Sequence, residues 1–163
     1  MWLPDSGIGF LGGASGREVY DEDYLEKYRG YERTEQGREL TKARCGLVEH
    51  WLGEGTICDV GVGSGHFVRE LQARGNCWVR GFDVNPEAVA MLHRQGVWAD
   101  PYRERFDALT FWDSLEHVRD PRPLLVSAAS YVFVTIPLVP GEGPPSRAWK
   151  HYRPLEHCWY FTE

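Results

Sequence analysis

Asp59, Gly61, Gly63 and Gly65 stand at alternate positions in Asp-Val-Gly-Val-Gly-Ser-Gly, at the end of the short apolar run 56–60. Glycines so placed allow a tight turn and let a ligand come close to main-chain N–H groups. Asp83 follows 18 residues beyond Gly65, near the roughly 20 expected of an acid that accepts hydrogen bonds from ribose hydroxyls. Two features oppose a diphosphate. His66 occupies the place where a G-x-G-x-x-G turn would carry its third glycine, and Asp59 puts negative charge where a pyrophosphate would be repelled. The ligand expected here has a ribose and a cationic group.

A second group of residues lies further along. Asp113, Glu116 and His117 are spaced i, i+3, i+4, so a helical turn starting at Asp113 would put all three on one face. The tail adds His151, Glu156, His157 and Cys158. Carboxylate and imidazole together suit Mg²⁺, Mn²⁺ or Zn²⁺. Alternatively, His117 acts as a general base, because an ordinary imidazole titrates near neutral pH.

The elements that must position these residues are readable from pattern. Residues 1–16 are rich in Gly, Pro and Ser and read as a mobile arm. Residues 17–53 read as helices. The first, over 18–31, has Tyr20, Tyr24, Tyr28 and Tyr31 at helical spacing, a stripe expected to pack on the core rather than face a ligand. The second spans 34–51, with Leu40, Leu47, Val48 and Trp51 as its apolar positions, and Gly53 and Gly55 stop it.

Over residues 54–137 strands alternate with helices. Strands are expected at 56–60, 78–84, 107–112 and 131–137, with a short one at 96–99, and helices at 66–74 and 86–93. That alternation implies a parallel sheet with right-handed crossovers, an α/β fold in a single domain. Residues 138–163 read as a Pro/Gly loop followed by an aromatic, histidine-bearing tail.

Composition narrows the partners. The 163 residues carry a formal net charge of -6, which argues against bulk nucleic acid. No apolar stretch approaches the ~18 residues of a membrane span, and the N-terminus does not read as a signal peptide. Cys45, Cys58, Cys77 and Cys158 are scattered with no CxxC pair, so reduced, mostly buried thiols in a cytoplasmic protein are expected.

Three motifs in order, "DVGVGSGHF", "GFDVNPEAVAML" and "FDALTFWDSLEHVRDP", resemble class I methyltransferases that use S-adenosylmethionine. The resemblance covers residues 56–137. It implies a Rossmann-like, doubly wound, mainly parallel sheet preceded by N-terminal helices. Asp59, Gly61, Gly63 and Gly65 would surround the methionine part of the cofactor, Asp83 would take the ribose hydroxyls, and Val84 would lie against the adenine. Asp100 matches an acid that meets the adenine amino group, and its alternative is an ordinary loop aspartate. Trp112 and Asp113 would complete the pocket. An acid-x-x-Glu-His turn with a distant histidine resembles metal-assisted branches of the superfamily, but Asp113 stands where those carry glutamate. Leu-Glu-His followed by Asp-Pro is also widespread in members without a metal. No metal is therefore assigned, and His117 is the expected catalytic residue.

The resemblance also marks a departure. Relatives of this type finish the sheet with a further helix and two strands, and this sequence reaches Glu163 where that helix would begin. Either it is truncated, or the sheet is completed another way. An incomplete C-terminal edge would be open to pairing, for instance in a homo-oligomer. The tail is expected to form the acceptor-side wall or lid, with His151 or His157 lining it. The reading is a methyltransferase whose acceptor is a small molecule or is glycan- or lipid-linked. The alternatives are an inactive cofactor-binding partner subunit and an NAD or nucleotide-sugar enzyme.

Overall fold

A computed structural model describes residues 1–11, 22–141 and 143–163. In chain order the elements are β1 (Trp2–Leu3), β2 (Ile8–Phe10), α1 (Glu22–Glu32), α2 (Glu35–Leu52), β3 (Gly55–Val60), α3 (His66–Arg74) and β4 (Cys77–Phe82). Next come α4 (Pro86–Arg94), β5 (Phe106–Trp112), α5 (Arg122–Leu125), β6 (Ala128–Thr135) and β7 (Trp159–Phe161).

Strands β4-β3-β5-β6 form one parallel sheet in that order. The chain runs from β3 to β4 on one side and then returns to β5 on the other. The carboxyl ends of β3 and β5 therefore flank a crevice at the point where strand order reverses, the usual ligand position in such sheets. Alternation along β3 sends Ile57 to one apolar layer, with Val48, Val68, Leu71, Val79 and Leu92. Cys58 points to the other, with Phe106, Leu109, Phe111 and Leu124. Burial on both faces explains why the central strands β3 and β5 are largely apolar.

The helix boundaries follow local chemistry. Thr34 caps α2 by accepting from the Gly37 N–H at 3.1 Å. Asn85 caps α4, its Oδ1 accepting from the N–H groups of Glu87 (2.9 Å) and Ala88 (3.2 Å), and Pro86 follows in the first turn. Asn85→Ala is expected to lower stability by about 1–2 kcal/mol in a denaturant titration, because both donors lose their partner.

Several expectations are corrected. Residues 1–11 are not an arm: β1, β2 and β7 form a small antiparallel sheet in the order β1-β2-β7, and Phe10 and Trp159 pack with ring centroids 4.6 Å apart. Apolar Trp2, Ile8 and Phe10 among the glycines provide the pairing surface. Residues 12–16, and Tyr20 with the start of the first helix, lie outside the described residues. In α2 the buried face is Gly37, Thr41, Cys45 and Val48, while Leu40, Leu47 and Trp51 are exposed. Gly37 is confined by the turn, where a Cβ would lie 2.3 Å from the Tyr31 carbonyl oxygen, while Cys45 and Val48 pack into the core with Ile57, Val68 and Leu71. The short strand expected at 96–99 reduces to a single bridge, Gly81 to Trp98.

β7 does not extend the parallel sheet. It pairs with β2 and touches residue 138 through one bridge, so β6 stays an edge strand of the four, as β4 is on the other side. All four cysteines are unpaired thiols. Among the described residues no helix is long and apolar enough to cross a membrane.

Candidate active site

A cavity of about 840 Å³ opens at the carboxyl ends of β3 and β5. Its two ends differ in chemistry.

The first end is built by the glycine loop and two acids. Asp59, last but one in β3, is 2% exposed, and its Oδ1 accepts from the Thr110 hydroxyl at 2.7 Å, across from it on β5. Burial pushes the Asp59 carboxyl up to about 7, with Asp83 adding to the rise; the Thr110 hydrogen bond and the Arg44 guanidinium oppose it. Asp83, just past β4, accepts from the Gly63 N–H at Oδ2 (3.0 Å) and from the Asn85 N–H at Oδ1 (2.8 Å). It thereby ties the loop to the next strand. Burial raises its pKa, although these N–H groups pull it the other way.

The glycines divide by role. A Cβ on Gly63 would meet nothing within 4 Å, and its φ is +53°, so the space beside it is open cavity. A Cβ on Gly61 would lie 2.6 Å from Ser114 Cβ, and one on Gly65 2.7 Å from Met91 Cε. Gly65 does not line the cavity. It is the left-handed residue that starts α3. Asp100 is also absent from the lining. Its carboxylate turns into its own loop, accepting from the Tyr102 N–H at 3.0 Å and pairing with Arg103 at 3.4 Å. Val84, exposed, lines the first end with Phe82 and Tyr102.

The second end is built by the turn after β5 and by the tail. Asp113 has φ 57°, uncommon outside glycine, and the helical turn begins only at Leu115. The expected shared face of Asp113, Glu116 and His117 therefore does not form. Asp113 pairs instead with Arg44 of α2, whose Nη2 donates to Oδ2 at 2.7 Å and to Thr135 Oγ1 at 3.1 Å. The same guanidinium sits 5.0 Å over the Trp112 ring. Arg44 went unnoticed in the sequence because nothing distinguishes it from the other charges of an amphipathic helix.

Glu116 and His117 face the tail. The Cys158 N–H donates to the Glu116 carbonyl at 2.7 Å, and the Trp159 indole N–H donates to the Val118 carbonyl at 2.7 Å. His117 Nδ1 lies 3.1 Å from the Glu156 carbonyl oxygen. That oxygen can only accept, so Nδ1 carries the proton and Nε2 is the unprotonated ring nitrogen. The His117 and His157 rings meet edge to face at 4.7 Å. Burial pushes Glu116 up to about 7 and lowers His117; burial, reinforced by His117 beside it, takes His157 down to about 4. His157 is therefore the tail histidine at the wall, and His151 lines the cavity further out. The tail is a bonded wall rather than a separate lid. Tyr28 and Tyr31 are exposed and line the cavity too, so that part of the tyrosine stripe faces the ligand space.

The sequence matches the family described as a methyltransferase domain over residues 31–163. No curated protein matches it. Similar solved structures include the PH0226 protein of Pyrococcus horikoshii OT3, 19% identical over 64% of this chain and 57% of that one, with a TM-score of 0.48. Another is the N-methyltransferase NodS of Bradyrhizobium japonicum WM9 in complex with S-adenosyl-L-homocysteine, 17% identical over 66% of this chain and 64% of that one, with a TM-score of 0.42. The chain thus spans less than two thirds of either structure.

Proposed function

The chain belongs to the methyltransferase domain family, and on that premise we propose that it transfers a methyl group from S-adenosylmethionine to a small-molecule or glycan- or lipid-linked acceptor. One observation supports this above the others. Asp59 is a buried carboxylate at the cavity floor, held by a hydroxyl and not ion-paired. It fits a cationic ligand, and the open space at Gly63 and the acid at Asp83 fit that ligand's ribose.

When bound, S-adenosylmethionine supplies a methyl group already activated on a sulfonium. The chain's own residues then have to hold, orient and exclude water. Asp59 lies where it meets positive charge, Asp83 accepts from hydroxyls, and Val84 and Tyr102 flank a planar base. Trp112 and Phe67, with ring centroids 5.3 Å apart, close the middle of the cavity. On the acceptor side His117 offers Nε2 as a proton acceptor, fixed in orientation by the Glu156 carbonyl. A partner through the β6 edge remains part of this reading: Tyr131, Val132 and Val134 are partly exposed along that outer strand.

Calorimetric titration with S-adenosylmethionine, its demethylated product and NAD tests the cofactor. Preference for NAD, or no binding of the first two, would overturn the reading. Labelled methyl transfer into fractionated cell extract tests the activity, and a protein that binds the cofactor yet transfers nothing to any fraction would be an inactive partner subunit.

Cofactor binding should also depend on pH. With its pKa near 7, Asp59 is mostly protonated at pH 6 and mostly ionised at pH 8. A cationic ligand needs the ionised form, so binding below pH 7 must expel a proton. Affinity is expected to be about tenfold weaker at pH 6 than at pH 8, and Asp59→Asn should flatten that profile. A flat profile in the unaltered protein would show that the ligand's charge does not meet Asp59.

A further inference from the structure

We infer that Glu116, His117 and His157 form a binding site for one divalent first-row transition ion, open towards the acceptor end of the cavity. A carboxylate oxygen of Glu116 and one ring nitrogen from each histidine all lie within 4.8 Å of one another. Ligands around one ion at roughly 2.0–2.2 Å stand about 3–4 Å apart, so a small contraction closes the set. His117 Nε2 and Glu116 Oε1 are already 4.0 Å apart.

Two atoms of the cluster lack a well-formed hydrogen bond, although the His151 backbone reaches the His157 ring. Glu116 is 2% exposed and His157 4% exposed, yet Glu116 Oε2 and His157 Nδ1 have no hydrogen-bond partner. An unpaired buried acceptor is costly, and more so when the group is charged. Arg153, the cation whose field reaches both histidines, is engaged by Glu156 at 3.1 Å. A cation would satisfy the orphaned atoms together.

The surroundings suit a ligand set. His117 donates Nδ1–H to a backbone carbonyl, the arrangement that orients a metal-bound imidazole. Two imidazoles and one carboxylate favour Mn²⁺, Fe²⁺, Co²⁺ or Zn²⁺ over Mg²⁺ and Ca²⁺. All three residues line the cavity, which leaves coordination positions for an acceptor atom there. That last step rests on the methyltransferase reading; the ion site itself does not. An ion on Nε2 replaces the proton-accepting role given to His117 above, so the two roles exclude each other.

The test uses the untagged full chain, dialysed against chelator. Titration with Co²⁺ should produce visible absorption bands of a mixed nitrogen–oxygen site, and equilibrium dialysis with Zn²⁺ should retain about one ion per chain. His157→Gln and Glu116→Gln should each weaken Co²⁺ binding at least tenfold, while His151→Gln should not. No bands and no retained ion in the unaltered protein would overturn the site. So would a folded His157→Gln protein that binds Co²⁺ as tightly. If the variants melt without cooperativity, the unaltered protein against His151→Gln decides: bands present and equal in both support the cluster, and bands lost in His151→Gln overturn it. S-adenosylmethionine affinity is measured on the same preparations. Cofactor binding without an ion removes only the metal, and an ion without cofactor binding removes only the methyltransferase reading.

Discussion

Valine in place of Gly63 is expected to abolish cofactor binding, by more than about 100-fold, or ~2.7 kcal/mol, in a protein that still melts cooperatively. The position is chosen by geometry. A Cβ there meets no protein atom within 4 Å, so both valine methyls enter the cavity instead of the core. The left-handed backbone, φ +53°, adds strain of about 1–2 kcal/mol, a burden that a domain stable by about 5–15 kcal/mol survives. Gly61 and Gly65 would be poor sites for the same test, since their Cβ atoms would strike Ser114 and Met91 and damage the fold first. A folded Gly63→Val protein with unchanged affinity would show that this glycine serves the turn alone. Titration calorimetry beside a thermal melt separates these outcomes.

Asp83→Ala is expected to weaken cofactor binding by about 1.5–3 kcal/mol, roughly 10- to 150-fold. The carboxylate already accepts from the Gly63 and Asn85 N–H groups, and an ionised carboxylate has about four lone-pair sites. Capacity remains for ribose hydroxyls. Alanine removes the acceptor for the ligand and also the tie between loop and strand. Asp83→Asn keeps one carbonyl oxygen and should fall between the two. Equal affinity in the alanine variant and the unaltered protein would remove the ribose assignment.

The parallel sheet was legible because its strands are apolar runs separated by helix signals that act locally. Gly65 and Gly75 bracket α3 at the boundaries expected from pattern alone. The glycine-loop end of the cavity was legible for the same reason: Asp59, Gly63 and Asp83 sit within one strand–helix–strand unit. What failed depended on contacts distant in sequence. The buried face of α2 is set by its packing on α3 and the sheet, which helical periodicity does not report. Residues 1–11 look unstructured until β7 arrives to pair with β2. The choice of His157 over His151 needed the tail laid against the turn at Glu116. Asp113 left its expected partners because its positive φ points it at Arg44.

The pairing of Ile8 with Phe161 has a consequence for the order in which the molecule assembles. The cofactor end comes from contacts short in sequence, β3 with α3 and β4, whose loop-closure entropy is small. The wall bearing His157 is anchored by strands drawn from opposite extremes of the described chain, and such non-local pairings form slowly. On that basis the cofactor end is the early part of the folding reaction and the acceptor wall the late part. A chain that has only begun to fold would have the glycine loop and its acids in place while nothing yet bounds the space opposite them.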